Sequence, residues 1–212
     1  MIALHTMLGI LKKADMTKFR SLSKMFIRYI PSPSHYILSG FLQIYQRLNI
    51  AHYSVSFRRH FMTHPPANFS WVSKSVAGFA FPREKCELEY IVNDAQITHI
   101  ITMCHEVPTY ISDFKSVKHY HLPVEDLTAA SLPVIQKAIE IIKQAEAKNE
   151  KVGVHCQLGR GRAGTILACY LAYKNNFDAD DAIKELRRLR PKSIDEEQEK
   201  AVKQYVKSIK QL

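Results

Sequence analysis

Acidic residues are almost missing from the first third of this 212-residue chain. Residues 1–64 hold nine lysines and arginines but a single acid, Asp15, which gives the segment a formal charge of +8. The rest of the chain holds 21 basic and 19 acidic residues, so most of the overall charge of +10 belongs to the N-terminal segment. A basic segment of this kind favours anionic partners such as a phosphorylated protein, an anionic lipid or a nucleic acid.

Paired cysteine motifs are also missing. None of the four cysteines forms a Cys-x-x-Cys pair, which argues against a zinc ribbon or a thioredoxin-like redox motif. No stretch has the features of a secretory signal, so we expect free thiols in a reducing compartment. The cysteines are Cys86, Cys104, Cys156 and Cys169.

The sequence has no long apolar run, no internal repeat and no low-complexity tract. No apolar run reaches the roughly 18–20 residues that span a bilayer. Hydrophobic residues make up 46% of the chain and charged residues 24%, as in ordinary globular proteins. A chain of this length can bury a sizeable core, and we expect one or two domains.

The basic segment, residues 1–64, mixes cations with apolar side chains around positions 18–28. That composition is typical of an organelle transit peptide or of a helix lying on a membrane surface. A poorly ordered basic extension without a targeting signal is an equal alternative. Because Pro65 and Pro66 break the pattern, we predict an extension over residues 1–64 and a folded domain over residues 65–212.

Beyond Pro65, segments with strand patterns alternate with segments with helix patterns. Residues 98–103 are β-branched and apolar, as in a buried strand, and residues 132–148 carry apolar side chains at helical spacing. The alternation predicts an α/β domain with a mostly parallel central sheet flanked by helices. Strands are predicted over 76–81, 98–103, 117–121 and 151–155, and helices over 83–93, 132–148, 163–175, 179–190 and 194–209.

Residues 154–165, VHCQLGRGRAGT, combine residue types suited to phosphate chemistry between a predicted strand and a predicted helix. Gly159 and Gly161 allow backbone N–H groups to turn toward an anion. The helix that follows directs the positive end of its dipole to the same place. Since Arg162 can bind two phosphate oxygens with its guanidinium, the stretch predicts a phosphate-binding loop.

The same loop is expected to make Cys156 a nucleophile. A thiol at a helix N-terminus beside an arginine ionises readily, and the thiolate is the reactive form. The alternative is a small buried cysteine before a glycine-rich turn. A Walker A loop is excluded because no Gly-Lys-Ser/Thr follows.

The loop resembles the H-C-x5-R signature of the cysteine-dependent protein tyrosine phosphatases. Together with NFSWV at 68–72, VGVHC at 152–156, LACYL at 167–171, RRLRP at 187–191 and EQEKAV at 197–202, it makes residues 65–212 similar to the small atypical dual-specificity phosphatases of the VHZ type. The resemblance implies a protein-tyrosine-phosphatase-like fold and a phosphocysteine intermediate, with Cys156 and Arg162 as catalytic residues and without a metal or other cofactor. The residues implied to bind substrate are His155, Gln157, Leu158, Gly159, Arg160 and Gly161.

The resemblance also implies a general acid on a loop. In the family an aspartic acid protonates the leaving oxygen, and its place thirty residues before the nucleophile corresponds to Asp126. The adjacent Glu125 is the rival candidate. A helix-capping role for Asp126 is the other alternative.

Three further residues have two interpretations each. His155 either shapes the loop through hydrogen bonds or is a plain core histidine. Gln198 either positions water, as a glutamine does in some relatives, or is a solvated helix residue, which is the favoured interpretation. Glu106 either anchors Arg162 or is a surface acid.

Two positions depart from the family pattern. Ala163 replaces the usual Ser or Thr, whose hydroxyl stabilises the cysteine thiolate as it leaves the phosphoenzyme, so the second step is in doubt. Arg160 replaces an aromatic residue; relatives that act on phosphoinositides or phosphatidylglycerophosphate carry Lys or Arg there. An exposed loop arginine without a special role is the alternative.

The predicted function is hydrolysis of phosphotyrosine and phosphoserine/threonine in proteins. Arg160 and the basic segment favour the alternative, a lipid phosphatase acting on an anionic phospholipid, with membrane contact through residues 1–64. A catalytically inactive phosphate-binding module has only Ala163 in its support. No nucleic acid is expected, since the basic segment has no motif beyond its charge. The expected location is the cytoplasm, with mitochondria as the alternative.

Overall fold

The computed structural model describes residues 63–211. The predicted extension over residues 1–64 therefore lies outside the described residues, except for its last two. The predicted boundary at residue 65 stays a prediction.

Five strands form one sheet in the order β1-β2-β5-β3-β4. The short first strand pairs antiparallel with β2, and all other neighbours are parallel. β5 therefore lies in the middle, where both of its edges are paired. The strands are β1 (Ser70–Trp71), β2 (Val76–Ala80), β3 (Ile97–Thr102), β4 (Lys118–His121) and β5 (Lys151–Cys156).

The helices cover both faces of the sheet. Ile101 and Val152 belong to the larger core, with apolar residues of the last four helices, whereas Phe79 and Ile100 pack with the first helix and the turn after it. Successive strand residues point to opposite faces, which is why Ile100 and Ile101 enter different cores. The helices are α1 (Lys85–Glu89), α2 (Leu132–Glu146), α3 (Arg162–Asn175), α4 (Ala179–Leu189) and α5 (Glu196–Lys210).

The predicted α/β class with a mostly parallel sheet is confirmed. The helix predicted over 83–93 is α-helical only in α1 and then widens into a π-helical turn, Tyr90–Asp94, where the N–H of Ala95 bonds to the Tyr90 carbonyl. β1 and a 3₁₀ turn at Ile111–Asp113 were not predicted, because two or three residues are too few to show a period. No helix within residues 63–211 is long and apolar enough to cross a bilayer.

α3 is the central helix of the larger core. Eleven of its residues are buried, and its sequence is rich in Ala and Leu, which favour helix and leave little polar surface to satisfy. α3 starts directly after the loop that follows β5. The predicted phosphate loop is therefore held between the central strand and the most buried helix.

Candidate active site

Cys156 is the last residue of β5 and is 3% exposed. The loop of residues 157–161 follows it and ends at Gly161, the N-cap of α3. In a parallel sheet the carboxyl ends of the strands are where ligands bind. The fold thus places the predicted nucleophile and the predicted loop at that edge.

Three carbonyls of the loop accept hydrogen bonds from residues outside the loop. The N–H of Phe81 bonds to the Gln157 carbonyl at 3.2 Å, and Nδ2 of Asn68 bonds to the carbonyls of Leu158 and Gly159 at 3.0 and 3.1 Å. A trans peptide directs its C=O and the next N–H in opposite directions. The amide hydrogens of the residues that follow these three carbonyls therefore point toward the inside of the loop, as anion binding requires.

Gly159 is required by this backbone path. Its φ is +67°, and a Cβ there would lie 2.4 Å from the carbonyl oxygen of Phe79. A side chain would meet fixed backbone atoms and also adopt the left-handed region that favours glycine. Any other residue at position 159 would push the loop off the end of β2.

Arg162 is the first residue of α3 and is buried. Its Nη1 donates to the Val124 carbonyl at 3.0 Å, and its Nη2 lies 2.8 Å from Oδ1 of Asp126. Arginine has five N–H donors, so these two contacts leave three for phosphate oxygens. The two contacts thereby orient the guanidinium and leave N–H donors available for a phosphate.

Asp126, and not Glu125, lies against the arginine. Asp126 is 73% exposed although it pairs with the buried Arg162, so its carboxylate sits between the site and solvent. Glu125 pairs instead with His105 at 3.1 Å, and Glu106 is exposed. A carboxylate beside the phosphate-binding cation is well placed to exchange a proton with a leaving oxygen.

His155 lies beneath the loop. Its ring is fully buried, stacks on Phe79 with centroids 5.5 Å apart, and Nε2 lies 2.7 Å from Oγ1 of Thr102. Burial, aided by the nearby His119, lowers the pKa of His155 to about 3, so the ring is neutral near pH 7. His155 can contribute to substrate binding only through the shape of the loop.

Comparisons with known proteins identify a phosphatase domain in this chain. The family described as "Swiss Army Knife protein, DSP-PTPase phosphatase domain" matches residues 66–202. This chain belongs to that family. The expected superfamily, the cysteine-dependent protein tyrosine phosphatases, is thereby confirmed, and so is the expected class of enzyme, since the described domain is a phosphatase domain.

Curated relatives are longer proteins. Tyrosine-protein phosphatase CDC14 of Candida albicans is 27% identical over 136 residues, which are 58% of this chain and 25% of the relative. Phosphatidylglycerophosphate phosphatase PTPMT1 of Arabidopsis thaliana is 32% identical over 89 residues, 42% of this chain and 26% of the relative. This chain spans about a quarter or less of the length of the curated relatives it matches first.

Solved structures share the fold of this phosphatase domain. PTPMT1 has a TM-score of 0.62 at 26% identity, covering 68% of this chain and 96% of that chain. Tk-PTP in a mutant form has a TM-score of 0.64 at 25% identity, covering 68% and 98%. A likeness to VHZ itself is not among these findings.

Arg190, which sequence analysis did not single out, supports the phosphatase loop from behind. Its side chain is 1% exposed and donates to the carbonyls of Gly159 at 2.6 Å and Gly78 at 2.7 Å. Burial lowers its pKa to about 10, so it keeps its positive charge near the Cys156 thiol at neutral pH. An arginine before a proline at a helix end has the pattern of a solvated last turn, so this role could not be predicted from the sequence.

The favoured interpretation of Gln198 as a solvated residue is wrong. Its side chain is 3% exposed, and a Cβ on Gly161 would lie 2.7 Å from its Nε2. The Gln198 amide therefore lies directly against the end of the loop. Its burial results from α5 packing across the start of α3, which amphipathic spacing alone does not reveal.

The hydroxyl of Thr165 does not replace the one missing at Ala163. Thr165 donates Oγ1–H to the carbonyl of Gly161 at 3.1 Å, one helical turn back. Ala163 itself is fully buried and has no donor. The departure from the family pattern is therefore not compensated by Thr165.

The remaining predicted loop residues differ in exposure. Arg160 and Leu158 are exposed on the rim, whereas Gln157 and Gly161 are partly buried.

Among the other thiols, burial raises the pKa of Cys104 to about 12 and that of Cys169 further still. Those two cysteines are therefore unreactive thiols at neutral pH.

Proposed function

We propose that this chain hydrolyses phosphotyrosine and phosphoserine/threonine monoesters through a phosphocysteine at Cys156. The observation that carries the proposal is the loop of residues 157–161 after Cys156, where the carbonyls of Gln157, Leu158 and Gly159 accept hydrogen bonds from Phe81 and Asn68. Because a trans peptide directs its C=O and the next N–H in opposite directions, we infer that the amides that follow are available to an anion. Arg162 adds a cation with free donors at the same place. This arrangement suits a phosphoryl group with charge on its equatorial oxygens.

The first step transfers the phosphoryl group to the enzyme. The thiolate of Cys156 attacks phosphorus, a P–S bond forms, and the P–O bond to the leaving group breaks. Asp126 gives its proton to the departing oxygen, which avoids release of an alkoxide or phenoxide. The inward amides and Arg162 hold the three equatorial oxygens.

The second step restores the enzyme. Water attacks the phosphocysteine, the carboxylate of Asp126 takes a proton from that water, and the P–S bond breaks to release inorganic phosphate and the Cys156 thiolate. Gln198, buried against Gly161, has an amide within reach of the same edge of the loop. No metal is required in either step.

The names of several relatives support a protein substrate, since they are tyrosine-protein phosphatases. A lipid phosphatase is the second candidate. It is supported by the exposed Arg160 on the rim and by the relative named phosphatidylglycerophosphate phosphatase.

The test is a substrate panel with the full chain. Phosphotyrosine, phosphoserine and phosphothreonine peptides are compared with phosphoinositides and phosphatidylglycerophosphate, and released phosphate is measured. We expect turnover of the peptides that is abolished in Cys156→Ser, because a serine hydroxyl is not ionised there. Turnover by Cys156→Ser near the parent rate contradicts the mechanism. Turnover confined to lipids, with Arg160→Gln losing activity on lipids but not on an aryl phosphate, selects the second candidate.

A further inference from the structure

A second cluster of reactive side chains lies at the start of α1, outside the phosphate loop. The donor atoms of His64, Glu84 and Cys86 lie within 4.8 Å of one another. Sγ of Cys86 is 3.4 Å from Nε2 of His64 and 3.4 Å from Oε2 of Glu84. Within residues 63–211 no other group of three or more His, Cys, Asp or Glu side chains meets in this way.

The cluster has more hydrogen-bond acceptors than donors. Nδ1 of His64 lies 3.2 Å from the Pro65 carbonyl, which can only accept, so the ring hydrogen belongs on Nδ1. In the neutral ring, Nε2 then presents a lone pair to Cys86, and the carboxylate of Glu84 also only accepts. One thiol hydrogen cannot satisfy both acceptors at once.

The spacing fits a tetrahedral metal ion. Zinc binds sulfur at about 2.3 Å, imidazole nitrogen at about 2.0–2.1 Å and carboxylate oxygen at about 2.0–2.2 Å. Two such ligands at the tetrahedral angle, one of them sulfur, are separated by about 3.5 Å. Both separations from Sγ, at 3.4 Å, are close to this value, and the ligand atoms of His64 and Glu84 lie within 4.8 Å of each other.

We propose that His64, Glu84 and Cys86 bind a zinc ion, with water as the fourth ligand. The mixture of thiolate, imidazole and carboxylate suits zinc better than magnesium or calcium, which prefer oxygen ligands. The bond from Nδ1 of His64 to a backbone carbonyl is the support that zinc-binding histidines usually have. His64 and Glu84 are exposed, so the fourth position is open to solvent.

The start of α1 holds two of the ligands in place. The carboxylate of Glu87 accepts from the backbone N–H groups of Arg83 and Glu84 at 2.6 and 3.0 Å, so Glu87 stabilises the turn rather than binding the ion. His64 comes from the segment before β1. The zinc ion would therefore tie the entry of the chain into the domain to α1, a structural role that is separate from catalysis.

The test uses the full reduced chain carrying Cys156→Ser, so that the active-site thiolate cannot bind metal. Titration with Co²⁺ should give a thiolate-to-cobalt charge-transfer band, and Zn²⁺ should displace it. Adding Cys86→Ser should remove the band and weaken Zn²⁺ binding by at least about 100-fold, since loss of a mere supporting partner costs roughly 10–100-fold. Zn²⁺ at 100 times its Kd should raise the Tm by about 5–10 °C, and not in the Cys86→Ser protein.

His64→Gln and Glu84→Gln should each weaken Zn²⁺ binding. The matched control is His105→Gln, which removes an exposed imidazole that also faces a carboxylate, Glu125, at 3.1 Å but belongs to no three-ligand group; it should bind as the parent does. The proposal is overturned if the parent shows no charge-transfer band, if the band survives Cys86→Ser, or if His64→Gln binds zinc as tightly as His105→Gln. None of these results depends on whether the protein is an active phosphatase.

Discussion

At the scale of single residues, Ala163 separates this chain from the family pattern. The residue after the loop arginine usually has a hydroxyl that can donate to the departing cysteine sulfur. Here it is a buried methyl group, and the nearby hydroxyl of Thr165 is bonded to the Gly161 carbonyl. A developing thiolate without this donor is less stabilised, so the second chemical step should be the slow one.

We predict that dephosphorylation of the enzyme limits turnover and that Ala163→Ser relieves it. Rapid mixing with an aryl phosphate should show a burst of phenol in the parent. Ala163→Ser should shrink the burst and raise the steady-state rate by about tenfold or more, since a comparable donor is worth about 10²–10³ in kcat. Thr165→Val is the control and should leave the burst unchanged. A linear time course that Ala163→Ser does not alter contradicts the prediction.

The adjacent acids Asp126 and Glu125 allow a clean test of the general acid. Asp126→Ala should lower kcat by about 10²–10⁴-fold for substrates whose leaving oxygen needs a proton, and much less for aryl phosphates with very acidic leaving groups. Glu125→Ala is the matched control, because that carboxylate is equally exposed but pairs with His105. If Glu125→Ala shows this dependence on the leaving group and Asp126→Ala does not, the assignment is off by one position.

At the scale of elements, the end of α4 supports the loop that follows β5. Arg190 satisfies carbonyls of both β2 and the loop, so the positions of these two elements are coupled through one guanidinium. Buried carbonyls that lose their donor cost about 1–3 kcal/mol each. The geometry of the site thus depends on a residue 34 positions beyond Cys156.

We predict that Arg190→Met destabilises the protein by about 1–3 kcal/mol, since the buried Gly78 carbonyl loses its Arg190 donor while the Gly159 carbonyl keeps the bond from Asn68. Denaturant unfolding measures this, and kcat should fall as the loop loses its support. Arg188→Met is the matched control on the same helix. Arg188 is exposed and pairs with Glu185, and such surface pairs contribute about 0–1 kcal/mol. Equal effects of the two substitutions would mean that Arg190 does not hold the loop.

At the scale of the whole molecule, charge divides the chain into two parts. The segment over residues 1–64 carries +8, and the rest is nearly neutral. The phosphate chemistry proposed here uses no residue of the basic segment. This division of charge motivates a separate role for the segment in subcellular location or membrane contact.

We propose that residues 1–64 determine the subcellular location of the protein. A fusion of these residues to a fluorescent reporter should reach mitochondria or bind vesicles containing anionic lipid, because cationic and apolar residues alternate around positions 18–28. A control fusion with the lysines and arginines changed to glutamine should lose both properties. A reporter that stays in the cytosol and does not bind anionic vesicles would contradict the proposal. The segment would then be a basic extension without a targeting role, and the protein would be expected in the cytoplasm.

The fold class and the loop could be predicted from the sequence. Strands such as β3 are runs of β-branched and apolar residues, and the residues from Cys156 to Arg162 are contiguous, so local patterns and one motif were enough to predict them. The tertiary structure alone decided the roles of residues that are distant in sequence. Arg190, Asn68 and Gln198 look like ordinary polar residues until α4 and α5 pack against α3 and bury two of them. The cluster of His64, Glu84 and Cys86 likewise exists only because the segment before β1 passes the start of α1, and no sequence spacing encodes such an approach.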